Sequence, residues 1–457
     1  MDVSIIRNLK GVAFIKRADP WIFYCLAIIS GCLVGLAGGY FQLFLHAGDR
    51  FRNSLIEWLR TLGDVEGFFV LAGICMFCAL VARALVRLSP TAGGSGIQYV
   101  EAVWKDEVQP ARIKLLPVKF IGGLLSLGSG MALGREGPTV QMGAAIGAWF
   151  SRVTKLEKLD FKYLVMASAG TGLGVAFSAP LGGAMFVFEE VTRSLNLRLV
   201  IATVLCASVG CTVSMSIIGF QPDYLVNQTS FALPNLQMMI FTMIFGIVVG
   251  LFGVLYNKMV LALLNVQNRL GMIPPEVRAA FVGLVVAVLL WFMPHWAGSG
   301  DPISQSLLNG TMPITALATL AVIRWFFAPL CYSTGVPGGL FSPLLLMGGI
   351  LGQLYCWVVG TTGYELNPLA FCALGMSAFF ASTICSPFTG VLLILEMTAC
   401  WDLTIPMLFA SIISYATFRT VGSLPIYTAL RLRIPAVQAL QKQGVDVLDK
   451  NEEPNKI

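Results

Sequence analysis

The chain has 457 residues, of which 56% are hydrophobic and only 12% charged, and its mean hydropathy is +0.79. A soluble domain of this length does not carry that balance, so the sequence reads as an all-α polytopic membrane protein. The net charge of +6 is ordinary for such a chain and gives no reason to invoke nucleic acid.

Residues 1–20 carry Arg7, Lys10, Lys16 and Arg17 but no short apolar region followed by a small-residue cleavage site, so they read as a cytoplasmic segment and not as a signal peptide. The apolar runs Ile22–Leu45, Leu199–Ile218, Met238–Tyr256 and Ala279–Met293 are long enough to span or nearly span about 30 Å of hydrocarbon as helices. Between them, the stretches around 120–190 and 330–400 are interrupted repeatedly by Gly, Pro or a charge. That pattern predicts discontinuous half-helices facing a cavity. At the C-terminus Arg431, Arg433, Lys442, Lys450 and Lys456 match the basic N-terminus, which puts both termini in the cytoplasm and implies an even number of crossings. Arg50, Arg52 and Arg60 in the first loop run against that reading. Most of the eleven cysteines stand singly in apolar runs, without spacing for a metal or a disulfide framework, and Cys75 and Cys78 read as packing on one helix face. His46 and His295 are the only histidines, so a proton route here must depend on carboxylates.

An internal repeat organises the chain. "GREGPTVQMGAAIG" from Gly134 matches "GLFSPLLLMGGILG" from Gly339, "GSG" at Gly94–Gly96 recurs at Gly298–Gly300, and "APLGGAMFVFE" ending at Glu189 pairs with "SPFTGVLLILE" ending at Glu396. These matches divide the chain into residues 1–20, a first transmembrane repeat over 21–220, a linker over 221–236, a second repeat over 237–432 and a short tail over 433–457. Two such halves of broken and tilted helices place a transport pathway at their interface. If they are inverted, equivalent helices point their N-termini at a shared point, whose unpaired N–H groups and positive dipole ends attract an anion. Pro138 and Pro343 suit the first turn of such helices.

Where the halves agree, packing is the simpler reading, so Glu189 and Glu396 are expected to bond to helix ends. Where they differ, function is expected. Glu136 aligns with Phe341 and Glu190 with Met397, which makes these two the unmatched carboxylates of the apolar core. Because neighbouring helical positions are about 100° apart, Glu189 is expected to pack while Glu190 opens to water.

"GSGIQ" (Gly94, Ser95, Gly96, Ile97, Gln98), "GREGP" (Gly134, Arg135, Glu136, Gly137, Pro138) and "GLFSP" (Gly339, Leu340, Phe341, Ser342, Pro343), in that order, resemble the signatures of the CLC family of chloride channels and chloride/proton exchangers, as do "LPVKF" and "PIYTAL". The resemblance covers about Trp21 to Leu432. It implies a chloride/proton antiporter, with a passive chloride channel on the same fold as the alternative. Ser95, Tyr427 and the backbone N–H groups of Leu340 and Phe341 would hold the central anion, and backbone at Arg135, Glu136 and Gly137 an outer one. Glu136 would gate the pathway and transfer protons, and Glu190 would be the internal proton-transfer residue. Glu101 and Lys119 resemble a pair of opposite charges with a structural role. Gln98 replaces a proline of the signature and is expected to loosen the entry to the next helix. The short tail is expected to lack a regulatory domain. The family further implies a homodimer in the lipid of a bacterial inner membrane, with chloride and protons as substrates and no metal or cofactor. An enzyme is disfavoured: no histidine lies near Ser95 in sequence and no His-x-x-His pattern occurs.

Overall fold

The computed structural model describes residues 19–228, 231 and 235–448. The basic residues before Asp19, and Lys450 and Lys456, lie outside them. Within the described residues the secondary structure is helical apart from two isolated β-bridges. Among the described residues, eight helices are long and apolar enough to cross a membrane. The four apolar runs expected from sequence fall in Pro20–Thr61, Leu197–Ile218, Leu236–Arg269 and Pro275–Phe292. Sequence reading did not single out Asp64–Leu85, Ile314–Ser333 or Thr404–Thr420, and it broke up Phe341–Gly360. Ile314–Ser333 carries Arg324 and Pro329, both buried inside the protein, which lowers its hydrophobic signal without exposing a charge to lipid.

The stretches read as half-helices are less broken than expected. Glu136–Val153 and Lys158–Phe177 run through six glycines between them, beginning with Gly137. The glycines there allow close packing and do not end helices. A Cβ at Gly143 would lie 2.2 Å from the Ser168 carbonyl oxygen, and one at its repeat mate Gly348 would lie 2.2 Å from that of Gly375. Short helices do occur at Ile97–Trp104, Pro180–Phe186 and Ile426–Arg431, and each is largely buried.

The pseudo-two-fold relation between the halves is written in reciprocal bonds. Gly134 and Gly339, which are repeat mates, exchange both backbone hydrogen bonds at 2.8 Å. Gly94 N–H donates to Val336 O at 3.1 Å, and Gly298 N–H donates to Gly130 O at 2.9 Å in the counterpart contact. Glu189 accepts from the Phe388 and Thr389 N–H groups at the start of helix Pro387–Thr398. Glu396 in turn accepts from Leu181 and Gly182 at the start of Pro180–Phe186. Each carboxylate thus satisfies two first-turn donors and meets the positive end of the other half's helix. The expectation that both bond to helix ends holds.

The arginines expected in a first loop lie instead within the helix Pro20–Thr61, which continues past the apolar run, and two of them have a bonding role. Arg52 donates to Gly128 O at 3.2 Å and Arg60 to Trp291 O at 2.8 Å, so both charges serve carbonyls at helix C-termini.

Candidate functional site

The Gly134–Gly339 bridge brings together the N-termini of helices Glu136–Val153 and Phe341–Gly360, with Pro138 and Pro343 in their first turns. First-turn N–H groups have no partner within their own helix, so two positive dipole ends converge at this point. A third short helix, Ile97–Trp104, begins beside them after Gly94–Ser95–Gly96, where both glycines adopt left-handed backbone with φ of 67° and 93°. Gly137 allows the approach: a Cβ there would lie 2.4 Å from Ser95 Oγ.

Ser95 Oγ is buried and has no hydrogen-bond partner in the protein. It does not cap the helix it precedes. The Tyr427 hydroxyl, from helix Ile426–Arg431, is also buried and approaches Ser95 without completing a hydrogen bond. Its ring stacks on Phe341 with centroids 6.1 Å apart, and Phe341 in turn packs against Phe177, Phe186 and Phe380. The Phe341 side chain is therefore committed to an aromatic cluster, and only its backbone can face an anion. Leu340 immediately precedes that helix as its N-cap.

Glu136 is fully buried. Its carboxylate folds back over Gly134 and accepts a hydrogen bond from the Ser342 hydroxyl of the other half, while Oε2 has no partner. Arg135, although adjacent, does not pair with it. The guanidinium turns away to Ala176 O and to Asp223. Ser342 was legible as part of a signature, but its hydroxyl as a partner for Glu136 was not.

Glu190 is buried and accepts from Ser386 Oγ at 3.0 Å. The expected division between Glu189 and Glu190 needs correction on two points. The five residues Val187–Val191 form a π-helical turn, which widens the helix at this place. Both carboxylates consequently reach the same helix start, Ser386 to Thr389, and it is Glu190 that is fully enclosed while Glu189 is partly exposed.

Two further expectations change. Gln98 tightens its turn, because its side-chain Oε1 accepts the Gly96 N–H at 3.1 Å. Lys119 does not pair with Glu101: its ammonium holds the carbonyls of Ala92 and Gly94 at 3.0 and 2.6 Å, fixing the loop that carries Ser95. Arg324, which is 205 positions further on, does the same for Ala297 and Gly298 at 3.0 and 2.7 Å. The Lys119–Arg324 correspondence lay within reach of the repeat alignment and was missed because the two residues differ.

Arg431 is not a surface charge of the tail. It is completely buried, 3.1 Å from Glu101, bonded to Glu107 and donating to Val447 O. One turn away on the same helix stands Tyr427, so this ion cluster ties the Tyr427 helix to the helix that follows Ser95. Removing one partner of a buried ion cluster costs about 3–5 kcal/mol. Arg431→Met is therefore expected to lower the melting temperature sharply, and Arg431→Lys less so, as measured by thermal unfolding in detergent.

The signature residues thus converge at one place. The family model described as voltage gated chloride channel matches residues 77–419. The chain belongs to this CLC family. Two similar curated proteins are the H(+)/Cl(-) exchange transporters ClcA of Vibrio cholerae, 33% identical over 94% of this chain and 93% of the relative, and of Vibrio parahaemolyticus, 33% identical over 94% of each. Among solved structures, a slow cyanobacterial Cl-/H+ antiporter superimposes with a TM-score of 0.85 at 26% identity, covering 94% of this chain and 100% of that one. A eukaryotic CLC transporter shares the fold with a TM-score of 0.77 at 19% identity, over 90% of this chain and 73% of its own. This CLC chain is an integral membrane protein and not an enzyme.

Proposed function

We infer that this protein exchanges chloride for protons across the membrane. One observation carries the reading: two buried hydroxyls without partners, Ser95 and Tyr427, lie against the converging N-termini of two helices, beside a buried carboxylate. Buried polar groups are nearly always paired, and a partnerless pair of O–H donors at positive dipole ends fits an anion. Chloride is held by Ser95, Tyr427 and the N–H groups of Leu340 and Phe341, and an outer anion by backbone at Arg135, Glu136 and Gly137. Glu136 in its ionised form occupies the anion pathway. Protonation removes that charge and lets the side chain leave. Glu190 passes protons to Glu136 from the other side, and no cofactor takes part.

The length of the first helix supports an orientation. Counting from Pro20, His46 lies about 39 Å along it, more than the roughly 30 Å of the hydrocarbon core. With both termini in the cytoplasm of a bacterial inner membrane, His46 and the Arg135 side chain face outward and the Arg431 cluster faces inward. A homodimer with one pathway per subunit is the assembly we propose; cross-linking in native lipid tests it.

The reading is tested by reversal potentials in liposomes under a pH gradient. Exchange moves the reversal potential with the proton gradient, and a passive anion channel leaves it at the chloride equilibrium value. Ser95→Pro removes one of the hydroxyl donors from a site whose other partners are mainly backbone amides. It is expected to shift preference from chloride toward nitrate, measured by competition flux. Unchanged selectivity would remove Ser95 from the anion site.

A further inference from the structure

The sequence places a cation and an anion side by side at Arg135–Glu136, inside a protein with little charge. The structure separates them. Glu136 points to Ser342 of the second half, whereas Arg135 has its own set of counter-charges. Asp223, from the linker between the halves, accepts from its Nη2 with both carboxylate oxygens, at 2.7 and 2.8 Å. Asp301, at the start of helix Asp301–Asn309, lies 3.8 Å away, and His46 Nε2 lies 3.5 Å away. A cavity of about 270 Å³ opens onto this cluster, lined also by Asp49, Tyr224 and Ser299.

We propose that Asp223 and Asp301 are positioning residues of the Glu136 gate: they hold the Arg135 guanidinium turned aside and neutralised, so that Glu136 pairs across the pathway and not with its sequence neighbour. The inference rests on the exchange reading, in which the charge of Glu136 opens and closes the path. A guanidinium on the preceding residue would otherwise be the natural partner of that carboxylate, since Arg–carboxylate pairs are strong and bidentate. A gate locked in that pair could neither be protonated easily nor swing out.

The placement of both acids is itself built. Asp301 follows the second "GSG", whose entry Arg324 fixes through the Ala297 and Gly298 carbonyls, and it accepts from Ser299 Oγ at 3.1 Å. Asp223 is adjacent to Tyr224, whose N–H donates to Met397 O at 2.9 Å and which is buried. Linker and second half therefore reach over the mouth and grip a residue of the first half. The charged and titratable groups acting on Glu136 are Arg135 on its own turn, Asp301, and the Tyr427 phenol. Those around Arg135 are His46 and Asp49 of the first helix, Asp223, Tyr224 and Asp301.

The test is chloride flux against pH in liposomes for the wild type, Asp223→Asn, Asp301→Asn and the double variant. Each substitution keeps an oxygen acceptor and removes one negative charge. With its counter-charges gone, Arg135 stabilises ionised Glu136, so the pH of half-maximal flux should move to the acid side by about one unit in the double variant. Adding Arg135→Gln to the double variant should return it toward the wild-type profile, a rescue that a purely structural role would not give. If the double variant fails to fold, the single variants carry the test with smaller shifts in the same direction. An unchanged midpoint in folded variants, or no rescue by Arg135→Gln, would overturn the proposal. A wild type whose flux is independent of pH would instead overturn the exchange reading itself.

Discussion

Glu136→Gln is expected to carry chloride at the wild-type rate or faster while moving no protons, and its flux should no longer depend on pH. The amide is nearly isosteric and can keep a hydrogen bond to Ser342, so the helix start at Glu136–Pro138 should persist. What it loses is charge. A neutral side chain cannot occupy an anion site as an anion, and it cannot bind and release a proton. The helix dipoles and the hydroxyls of Ser95 and Tyr427 then act on chloride alone. Proton-linked transport in this variant would remove Glu136 from the mechanism.

The second large effect separates Glu189 from Glu190. Glu190→Gln should fold normally and still transport chloride but lose proton movement, because delivery to Glu136 is interrupted. Glu189→Ala should lose stability instead. Its carboxylate bonds the Phe388 and Thr389 N–H groups and the Thr389 hydroxyl. Leaving those first-turn donors unpaired costs about 1–3 kcal/mol each. Paired chloride and proton flux with a melting temperature for each variant decides between them. If Glu190→Gln pumps protons normally while a folded Glu189→Ala is uncoupled, the assignment is reversed.

The repeat was the most informative part of the sequence, because a shift of 205 pairs Gly134 with Gly339 and these residues do bond each other. It also set Glu189 and Glu396 apart as helix-end partners, and the three signatures located the residues that converge around Ser95. What could not be read has physical reasons. Glycine spacing suggested helix breaks because close helix packing and chain reversal use the same residue. The π-helical turn at Val187–Val191 has no sequence signal, so the direction of Glu190 could not follow from ideal helix angles. Arg431 looked like a tail charge because hydropathy cannot tell a solvated arginine from one enclosed by Glu101 and Glu107. Asp223 and His46 come from distant segments with no shared motif, and only the folded chain brings them to Arg135.

The measurement that tests the account most directly is proton movement driven by chloride alone, in liposomes containing the purified wild-type protein. With no initial pH difference and an imposed chloride gradient, exchange requires protons to move uphill in the direction opposite to chloride, at a fixed ratio, and to collapse when a protonophore is added. The account predicts that uphill movement, and its absence in Glu136→Gln. Chloride flux that dissipates its gradient without moving protons in the wild type would contradict it.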